Sequence, residues 1–471
     1  MKRVIALAIV GLMSGFSLQA QEEEDKKHLN VEETTGAKHD GHKPEAIHTI
    51  KELFSKGHIG GDIRYFFMGT NHVDHGEFYY ANAIGGRLNY HTAEFHGFHL
   101  AIAGLFVFDL GSSEYEEEML TLYERELFDL THPHNRNDLD RMEELFIQYR
   151  YKNSFAKFGK MDINTPLMNP RDTRMKPYVF NGFWGEYNQI KNLRANAGWI
   201  YGASPRSTTH WFEFDDAIDL YQRGVTTSGV PIEETGGYTS KGVAIGGLTY
   251  QLAKGLSVQG WWYYMDQIAN SMWLQTDIKR QLMPKWNWVA GAIYVHQTPI
   301  ENDAEYSYMD EGQVTDLYSG RIGLAGKRAE FYVNYTTVGN AGRFVFPQEF
   351  GRAKVYTLIP RGELEGMGNV SNLVLSGVYK PKKLKDFTVQ TAISVLDAPE
   401  WDNAAKNKYG IPSYHHFTLD LGYRFHKLFE GLDVHALYVY KDATELNDFP
   451  ETEDEVHFNF HQINLIANIY F

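Results

Sequence analysis

The sequence predicts an all-β transmembrane protein, an antiparallel barrel of about eighteen strands in an up-and-down meander with short periplasmic turns and long outer loops. Three observations support this fold class. The last strand alternates apolar and polar residues, no apolar run after residue 20 is long enough for a membrane-spanning helix, and aromatic residues make up 14% of a chain whose mean hydropathy is only −0.42. Barrel strands combine these properties because one face meets lipid, the other meets water, and aromatic girdles lie at both interfaces.

The chain begins with the features of a cleaved signal peptide over residues 1–20. Lys2 and Arg3 precede a short apolar run, and a small-residue ending leads to Ala20, as is typical of secretory signals. A transmembrane helix is the alternative, but Ser14 and Gly15 interrupt the run. The sequence therefore predicts an exported protein of the outer membrane of a Gram-negative bacterium.

Residues 21–56 form a polar, histidine-rich segment that we expect to be a flexible periplasmic tail. His39 and His42 are close enough in sequence to chelate a metal. Nothing around them would fix that geometry, so the flexible tail is the favoured interpretation. Residues 44–56 place apolar side chains on one face and predict a short amphipathic helix, which either plugs the barrel mouth or lies against it.

The remaining residues, 57–471, divide into strand-like segments with the two-residue period of a β-strand. Turn or loop residues separate each segment from the next. The eighteen predicted strands are 57–69, 78–91, 97–109, 141–152, 154–162, 178–190, 193–203, 240–252, 256–266, 269–280, 286–298, 317–326, 328–337, 369–380, 385–397, 412–425, 430–441 and 460–471.

The connections between these segments alternate in length. Those after even-numbered strands are tight, as at Lys191-Asn192 and Ala253-Lys254-Gly255. A bacterial barrel with both chain ends on the periplasmic side produces this alternation, whereas a soluble β-sandwich gives no reason for it. The long connections all follow odd-numbered strands and span 110–140, 204–239, 299–316, 338–368 and 442–459.

The same alternation assigns each side chain to a face of the wall. In the last strand, Leu465 and Ile469 share one face, and Gln462 and Asn464 share the other. A charged side chain at the middle of a bilayer costs about 2–4 kcal/mol, so the charged residues of the other strands must point to water. A barrel of this strand number is wide enough for an aqueous channel, and the lumen is therefore expected to be wet.

The fifth strand leads into a stiff, basic connection, residues 164–177, which contains three prolines together with Arg171 and Arg174. Here the chain resembles the OprD-like outer-membrane porin family. Lys160, Met161 and Asn181 stand where that family has Arg, Gln and Glu. The matching residues are Gly159, Thr165, Pro166, Asn169, Asp172, Arg174, Met175, Pro177, Phe180 and Gly182.

A second match to the family lies earlier, in residues 85–93 followed by Gly97 and Phe98. It corresponds to the family's second and third strands. The resemblance implies an eighteen-stranded, passive and substrate-selective channel for small polar solutes such as amino acids, peptides or carboxylates. In general porins the third outer loop, which is 164–177 by our count, folds inward and narrows the pore.

Selectivity is expected to depend on arginines, because guanidinium groups stay charged and bind carboxylates in a forked geometry. Several of them along one wall would offer an anion a path of weak sites. Two alternatives remain open. The arginines pair with inward acids such as Asp62, Glu144 and Asp420, or an acidic wall from Asp172 or residues 211–216 favours cationic or zwitterionic solutes. The predicted lining residues are Arg64, Arg87, Arg150, Arg171, Asp172, Arg174, Arg194, Arg321 and Arg424.

Composition limits the other functions. The absence of cysteine excludes disulfides, thiolate metal sites and cysteine nucleophiles, and the net charge of −15 argues against nucleic acid as a partner. No cofactor and no metal are predicted. The expected partners are small polar solutes, outer-membrane lipid and the barrel assembly machinery, which would recognise the last strand ending in Phe471.

Four other functions compete with a polar-solute channel. An outer-membrane enzyme would use inward residues such as His99, Asp109, Asp433 and His435, but no nucleophile motif accompanies them. A channel for hydrophobic compounds would have an apolar lumen and an amino-terminal hatch. An energised receptor needs about 22 strands and a plug, which this chain is too short to hold, and a soluble all-β carbohydrate binder remains the last alternative.

Overall fold

The computed structural model describes residues 48–73, 77–114, 123–132, 135–137, 139–171, 173–300, 306–444 and 458–471. The predicted signal peptide, the pair His39 and His42, and Asp172 lie outside these ranges. Within them, no helix combines the length and the apolar character that crossing a membrane requires.

The one α-helix of the described residues, α1 (Ile50–Ser55), precedes the first strand and is shorter than predicted. Thr49 and Glu52 form a capping box, because the Thr49 side chain accepts from the Glu52 N–H and the Glu52 carboxylate accepts from the Thr49 N–H. The Ala93 N–H donates to the Leu53 carbonyl over 3.0 Å. The helix therefore lies against the barrel rim beside the turn that follows the second strand.

All eighteen predicted strands are confirmed, with ends that differ by a few residues. A further two-residue strand, β8, adds only a short pairing to the end of β7, while β7 pairs directly with β9. The strands are β1 (His58–His72), β2 (Glu77–His91), β3 (Phe98–Asp109), β4 (Leu139–Tyr151), β5 (Ser154–Met161), β6 (Val179–Tyr187), β7 (Leu193–Ser204), β8 (Phe212–Glu213), β9 (Val243–Ala253), β10 (Leu256–Met265), β11 (Ala269–Met283), β12 (Trp286–Pro299), β13 (Thr315–Gly326), β14 (Ala329–Val338), β15 (Ser371–Tyr379), β16 (Phe387–Asp397), β17 (Tyr414–Arg424), β18 (Leu432–Ala443) and β19 (Phe460–Tyr470).

The sheet closes on itself because β1 pairs antiparallel with both β2 and β19. Asp62, near the start of β1, lies opposite Tyr470, at the end of β19. The first and last strands therefore begin and finish at the same end of the barrel. A closed sheet leaves no backbone edge unpaired, as a wall in lipid requires.

That end, here called the turn end, carries the short connections, such as 152–153, 254–255 and 284–285. Asn192 and Gly255 adopt positive φ angles in these turns, a conformation that Asn and Gly accept most readily. The opposite end, the loop end, carries the long connections. Four of these loops are L2 (110–138), L3 (162–178), L4 (205–242) and L7 (339–370).

The predicted faces of the strands are confirmed. In β19, the side chain of Leu465 is 45% exposed, whereas Asn464 beside it is fully buried in the barrel. Large apolar side chains cover the outside of most strands, as in β3, where Phe98, Ile102 and Phe106 are all exposed. The wall therefore has an apolar exterior and a polar interior.

Candidate functional site

L3 lies inside the barrel rather than over its rim. Leu167, Met168 and Asn169 are fully buried, and the Leu167 N–H lies 3.3 Å from the hydroxyl of Tyr263 on β10. A tight turn holds the segment, in which the Thr165 and Met168 backbones bond over 2.7 Å. Tyr263 is fully buried and therefore lies on the inner face of β10, so L3 folds into the lumen.

L7 also folds inward and meets L3 backbone to backbone. The Asn169 side-chain amide donates to the Arg352 carbonyl over 2.9 Å. Gly351 has a φ of 129°, and a Cβ atom there would lie 2.7 Å from both the N and the O of Asn169. Only glycine permits this approach. L3 and L7 together narrow the lumen, and we call this pair of loops the constriction.

A carboxylate from a third loop joins the constriction. In L2, residues Tyr123–Leu127 form a buried 3₁₀-helix that places Glu126 between two guanidinium groups. One oxygen of Glu126 lies 2.6 Å from Arg174 of L3 and 2.9 Å from Arg206 of L4. Three separate loops therefore meet at one carboxylate.

L7 reaches the barrel wall through Arg361. Its guanidinium donates to Gln462 over 2.8 Å and to Asn464 over 3.1 Å, and its centre lies 5.4 Å from the ring of Tyr123. The wall residues are the polar face of β19 that the sequence predicted. A guanidinium over the face of an aromatic ring is a further stabilising contact.

Burial shifts the titration of loop residues near the constriction. It raises the pKa of Glu124, which accepts a hydrogen bond from Thr70, to about 7. Burial, assisted by the charge of Arg141, lowers the pKa of Lys176 to about 7, and the Lys176 ammonium donates to the Phe128 carbonyl over 2.8 Å. Both groups therefore change charge near neutral pH.

The predicted lining residues that the structure describes fall into four groups. Arg171 and Arg174 are buried in L3. Arg64 and Arg87 line a cavity between the wall and L3, together with Asp62, Glu143, Glu144, Asp162, Pro170 and Thr173. Arg64 donates to Asn468 over 3.1 Å.

Arg321 lies on β13 beneath L7. It bonds Asp277 over 2.9 Å, and its guanidinium lies 4.5 Å from the ring of Tyr356.

Three predicted residues lie elsewhere. Arg150, Arg194 and Arg424 belong to the turn end of the wall, where Arg150 is 3.4 Å from Glu94 and Arg424 is 2.8 Å from Asp433. Side chains alternate between the two faces along the whole strand, including its ends. Alternation therefore assigned these residues to the lumen without showing how far along the barrel axis they lie. They are not part of the constriction.

Most of the predicted arginines are paired with acids, which was the first of the two alternatives left open by the sequence. Arg87 lies 2.7 Å from Glu144 and 3.8 Å from Glu143, and its cross-strand neighbour is Asp62. Asp420 in turn lies 3.1 Å from His435. The basic side chains therefore form short acid–base clusters along the lumen.

Comparison with known proteins identifies the architecture. A sequence profile described as "outer membrane porin, OprD family" matches residues 91–359. The chain belongs to the OprD family of outer membrane porins. The resemblance found in the sequence is thereby confirmed, and the loop end of this porin faces the outside of a Gram-negative cell.

Solved structures show the same fold. Pseudomonas aeruginosa OpdK with vanillate matches with a TM-score of 0.70 and 15% identity, covering 89% of this chain and 99% of that one. Acinetobacter baumannii OccAB2 matches with a TM-score of 0.71, 13% identity and the same coverage. Pseudomonas aeruginosa OccD3 (OpdP) matches with a TM-score of 0.67 and 15% identity, covering 89% of this chain and 92% of that one. The curated proteins contain no significant match.

Sequence reasoning missed several charged residues of the porin's constriction. The pattern that singled out L3, arginines close to prolines in a long connection, also occurs in L7 at Pro347, Arg352, Pro360 and Arg361 and could have identified that loop. Lys408, in the loop between β16 and β17 (398–413), carried no such pattern. It lies 2.8 Å from an oxygen of Asp219, and only the fold brings these two residues together.

Proposed function

We propose that this porin allows passive, moderately selective diffusion of small polar solutes, in particular carboxylates, amino acids or small peptides. Selection would take place at the constriction of L3 and L7. The observation that carries the proposal is the Glu126 carboxylate, which Arg174 and Arg206 hold from two other loops. A solute carboxylate entering the constriction would meet guanidinium groups of the same kind, which bind carboxylates.

Pairing of the arginines with acids supports moderate rather than tight selection. Conduction requires sites that a solute enters readily and leaves readily. An arginine already engaged by a neighbouring acid, as Arg87 is by Glu144 over 2.7 Å, offers an incoming anion only part of its hydrogen-bonding capacity. A chain of such partly engaged groups binds weakly at each step.

The structural relatives are consistent with this substrate class. OpdK, which shares the fold, was determined with vanillate, an aromatic carboxylate. The polar interior of β19, including the buried Gln462 and Asn464, does not favour a channel for hydrophobic compounds. Family and fold likewise indicate a channel rather than an enzyme.

Replacing Arg171 and Arg174 together by glutamine should shift ion selectivity toward cations. One unit charge at about 4 Å in water-like surroundings contributes about 1 kcal/mol, so the cation-to-anion permeability ratio should rise about fivefold or more. The measurement is the reversal potential of the purified porin in a planar bilayer across a salt gradient.

The matched control is Arg150→Gln with Arg424→Gln, which removes the same charge from the turn end, where both side chains are more than a third exposed. It should change the reversal potential much less. If the L3 variant and the wild type give the same reversal potential, the two arginines do not line the path, and the proposed selection mechanism is wrong.

We further propose that residues 1–20 are a signal peptide, that 21–56 form a periplasmic segment, and that the apolar exterior of 57–471 contacts lipid. The last strand would serve the barrel assembly machinery. Phe471 completes the closing ladder, since its N–H donates to the Gly61 carbonyl and its own carbonyl accepts from the Gly61 N–H, both over 3.0 Å.

A further inference from the structure

A second cluster of polar side chains lies at the loop end, apart from the constriction. Asp129 and His132 come from L2, and His210 comes from L4. One oxygen of Asp129 lies 3.8 Å from Nδ1 of His132 and 3.9 Å from Nδ1 of His210. The two imidazole rings are 5.0 Å apart between centroids, so three potential ligand atoms face one point.

The carboxylate of this cluster is fixed in place by both loops. Asp129 Oδ1 accepts from the N–H of Thr131 over 2.8 Å and from its hydroxyl over 2.6 Å. Asp129 Oδ2 accepts from the N–H of Thr209 over 3.2 Å and also from its hydroxyl. Two Thr-His pairs, one from each loop, therefore approach the same buried carboxylate, and each presents its histidine on the same side.

We propose that Asp129, His132 and His210 form a binding site for a divalent transition-metal ion, with Zn²⁺ as the best match. Two imidazole nitrogens and one carboxylate oxygen are ligands that Zn²⁺ prefers. Ca²⁺ and Mg²⁺ would require more oxygen ligands than the cluster offers.

The two oxygen–nitrogen separations need only a small adjustment to hold the ion. Zinc–ligand distances of about 2.0–2.2 Å place neighbouring ligand atoms about 3.4 Å apart in a tetrahedral site, and the observed oxygen–nitrogen separations exceed this by a few tenths of an ångström. Each Nδ1 also lies about 3 Å from the adjacent threonine hydroxyl. A small rotation of each ring moves the nitrogen from the hydroxyl to the ion.

The site is open to ions from outside the cell. The His132 and His210 side chains are each 59% exposed, which leaves the fourth position to water. A bound ion would fasten L2 to L4, and these loops supply Glu126 and Arg206 to the constriction. Zinc binding would thereby hold the Glu126–Arg206 pair in place.

The test is calorimetric titration of the full-length porin in detergent with Zn²⁺, comparing the wild type with the double variant His132→Gln and His210→Gln. The variant should bind one equivalent fewer, or bind that equivalent at least tenfold more weakly. Histidines elsewhere in the chain bind the same number of zinc ions in both proteins, so the difference in bound zinc between the wild type and the variant reports on this site alone. Titration with Co²⁺ should show d–d absorption bands in the wild type that the variant lacks.

The matched control is His426→Gln, which removes a similarly exposed histidine beside Asp386 at the turn end. It should bind as the wild type does. Heat-dependent mobility in detergent gels shows that each variant forms a barrel. Equal zinc stoichiometry and affinity in the wild type and the folded double variant would overturn the proposal, as would loss of binding in the His426 variant alone.

Discussion

Replacing Gly351 with alanine should separate L7 from L3 while the barrel stays intact. Gly351 has φ 129° and ψ −170°, a region that is essentially restricted to glycine and costs other residues about 1–3 kcal/mol. The new Cβ would also lie 2.7 Å from the backbone of Asn169 and 3.0 Å from the carbonyl of Leu167. Because these neighbours are backbone atoms of L3, no side-chain rotation can relieve the contact.

The free-energy effect of Gly351→Ala on the contact between L3 and L7 follows from the hydrogen bonds that must break. The Asn169 N–H donates to the Phe350 carbonyl over 3.4 Å, and its amide donates to the Arg352 carbonyl over 2.9 Å. Two such hydrogen bonds contribute about 1–3 kcal/mol in total. Together with the backbone strain, the substitution disfavours the loop contact by about 2–6 kcal/mol, which shifts the loops toward the open arrangement.

The assay is single-channel conductance in a planar bilayer. The Gly351→Ala porin should show higher conductance and greater current noise than the wild type, because L3 no longer has a fixed partner. The control is Gly312→Ala, where φ is 76° and no atom lies within 4 Å of the new Cβ, so that it tests strain without a clash. If all three proteins conduct equally, the contact between L3 and L7 does not limit the pore.

Three further outcomes are expected. Burial raises the pKa of Glu124 from 4.5 to about 7, so a rise in pH from 4.5 to 7 should weaken loop packing by up to about 3 kcal/mol, and a further rise should have no effect. Glu124→Gln should remove this pH dependence, measured as the rate of loop proteolysis at pH 5 and pH 8. If the variant keeps the same pH dependence, Glu124 is not the group responsible. Leu465→Arg places a charge at the middle of the exterior side of β19, where Leu465 is exposed, and should destabilise the barrel by about 2–4 kcal/mol in urea unfolding in lipid vesicles; an unchanged midpoint would show that this face does not contact lipid. Deletion of Phe471 should lower the amount of porin in the outer membrane but not refolding in detergent, since the rest of the β1–β19 ladder remains; equal amounts in the membrane would argue against recognition of this residue by the assembly machinery.

The part of the constriction that lies in L3 was foreseeable because its signals are local in sequence. The prolines and arginines of L3 indicated a stiff basic loop, and Arg171 and Arg174 are indeed buried there. The partners of these groups were not foreseeable. Arg174 contacts Glu126, and Arg361 contacts Gln462 and Asn464. These partners are far apart in the sequence, and no periodic pattern of residues connects them.

The sequence by itself determined the number of strands, the face to which each strand side chain points, and the membership of the family. These follow from a two-residue period and from the cost of charge in lipid, which act on each strand separately. Only the tertiary structure decided how deep each inward arginine lies and which acid engages it. Those properties depend on how far four loops fold back into the lumen, and a loop's path is set by contacts with distant segments rather than by its own residues.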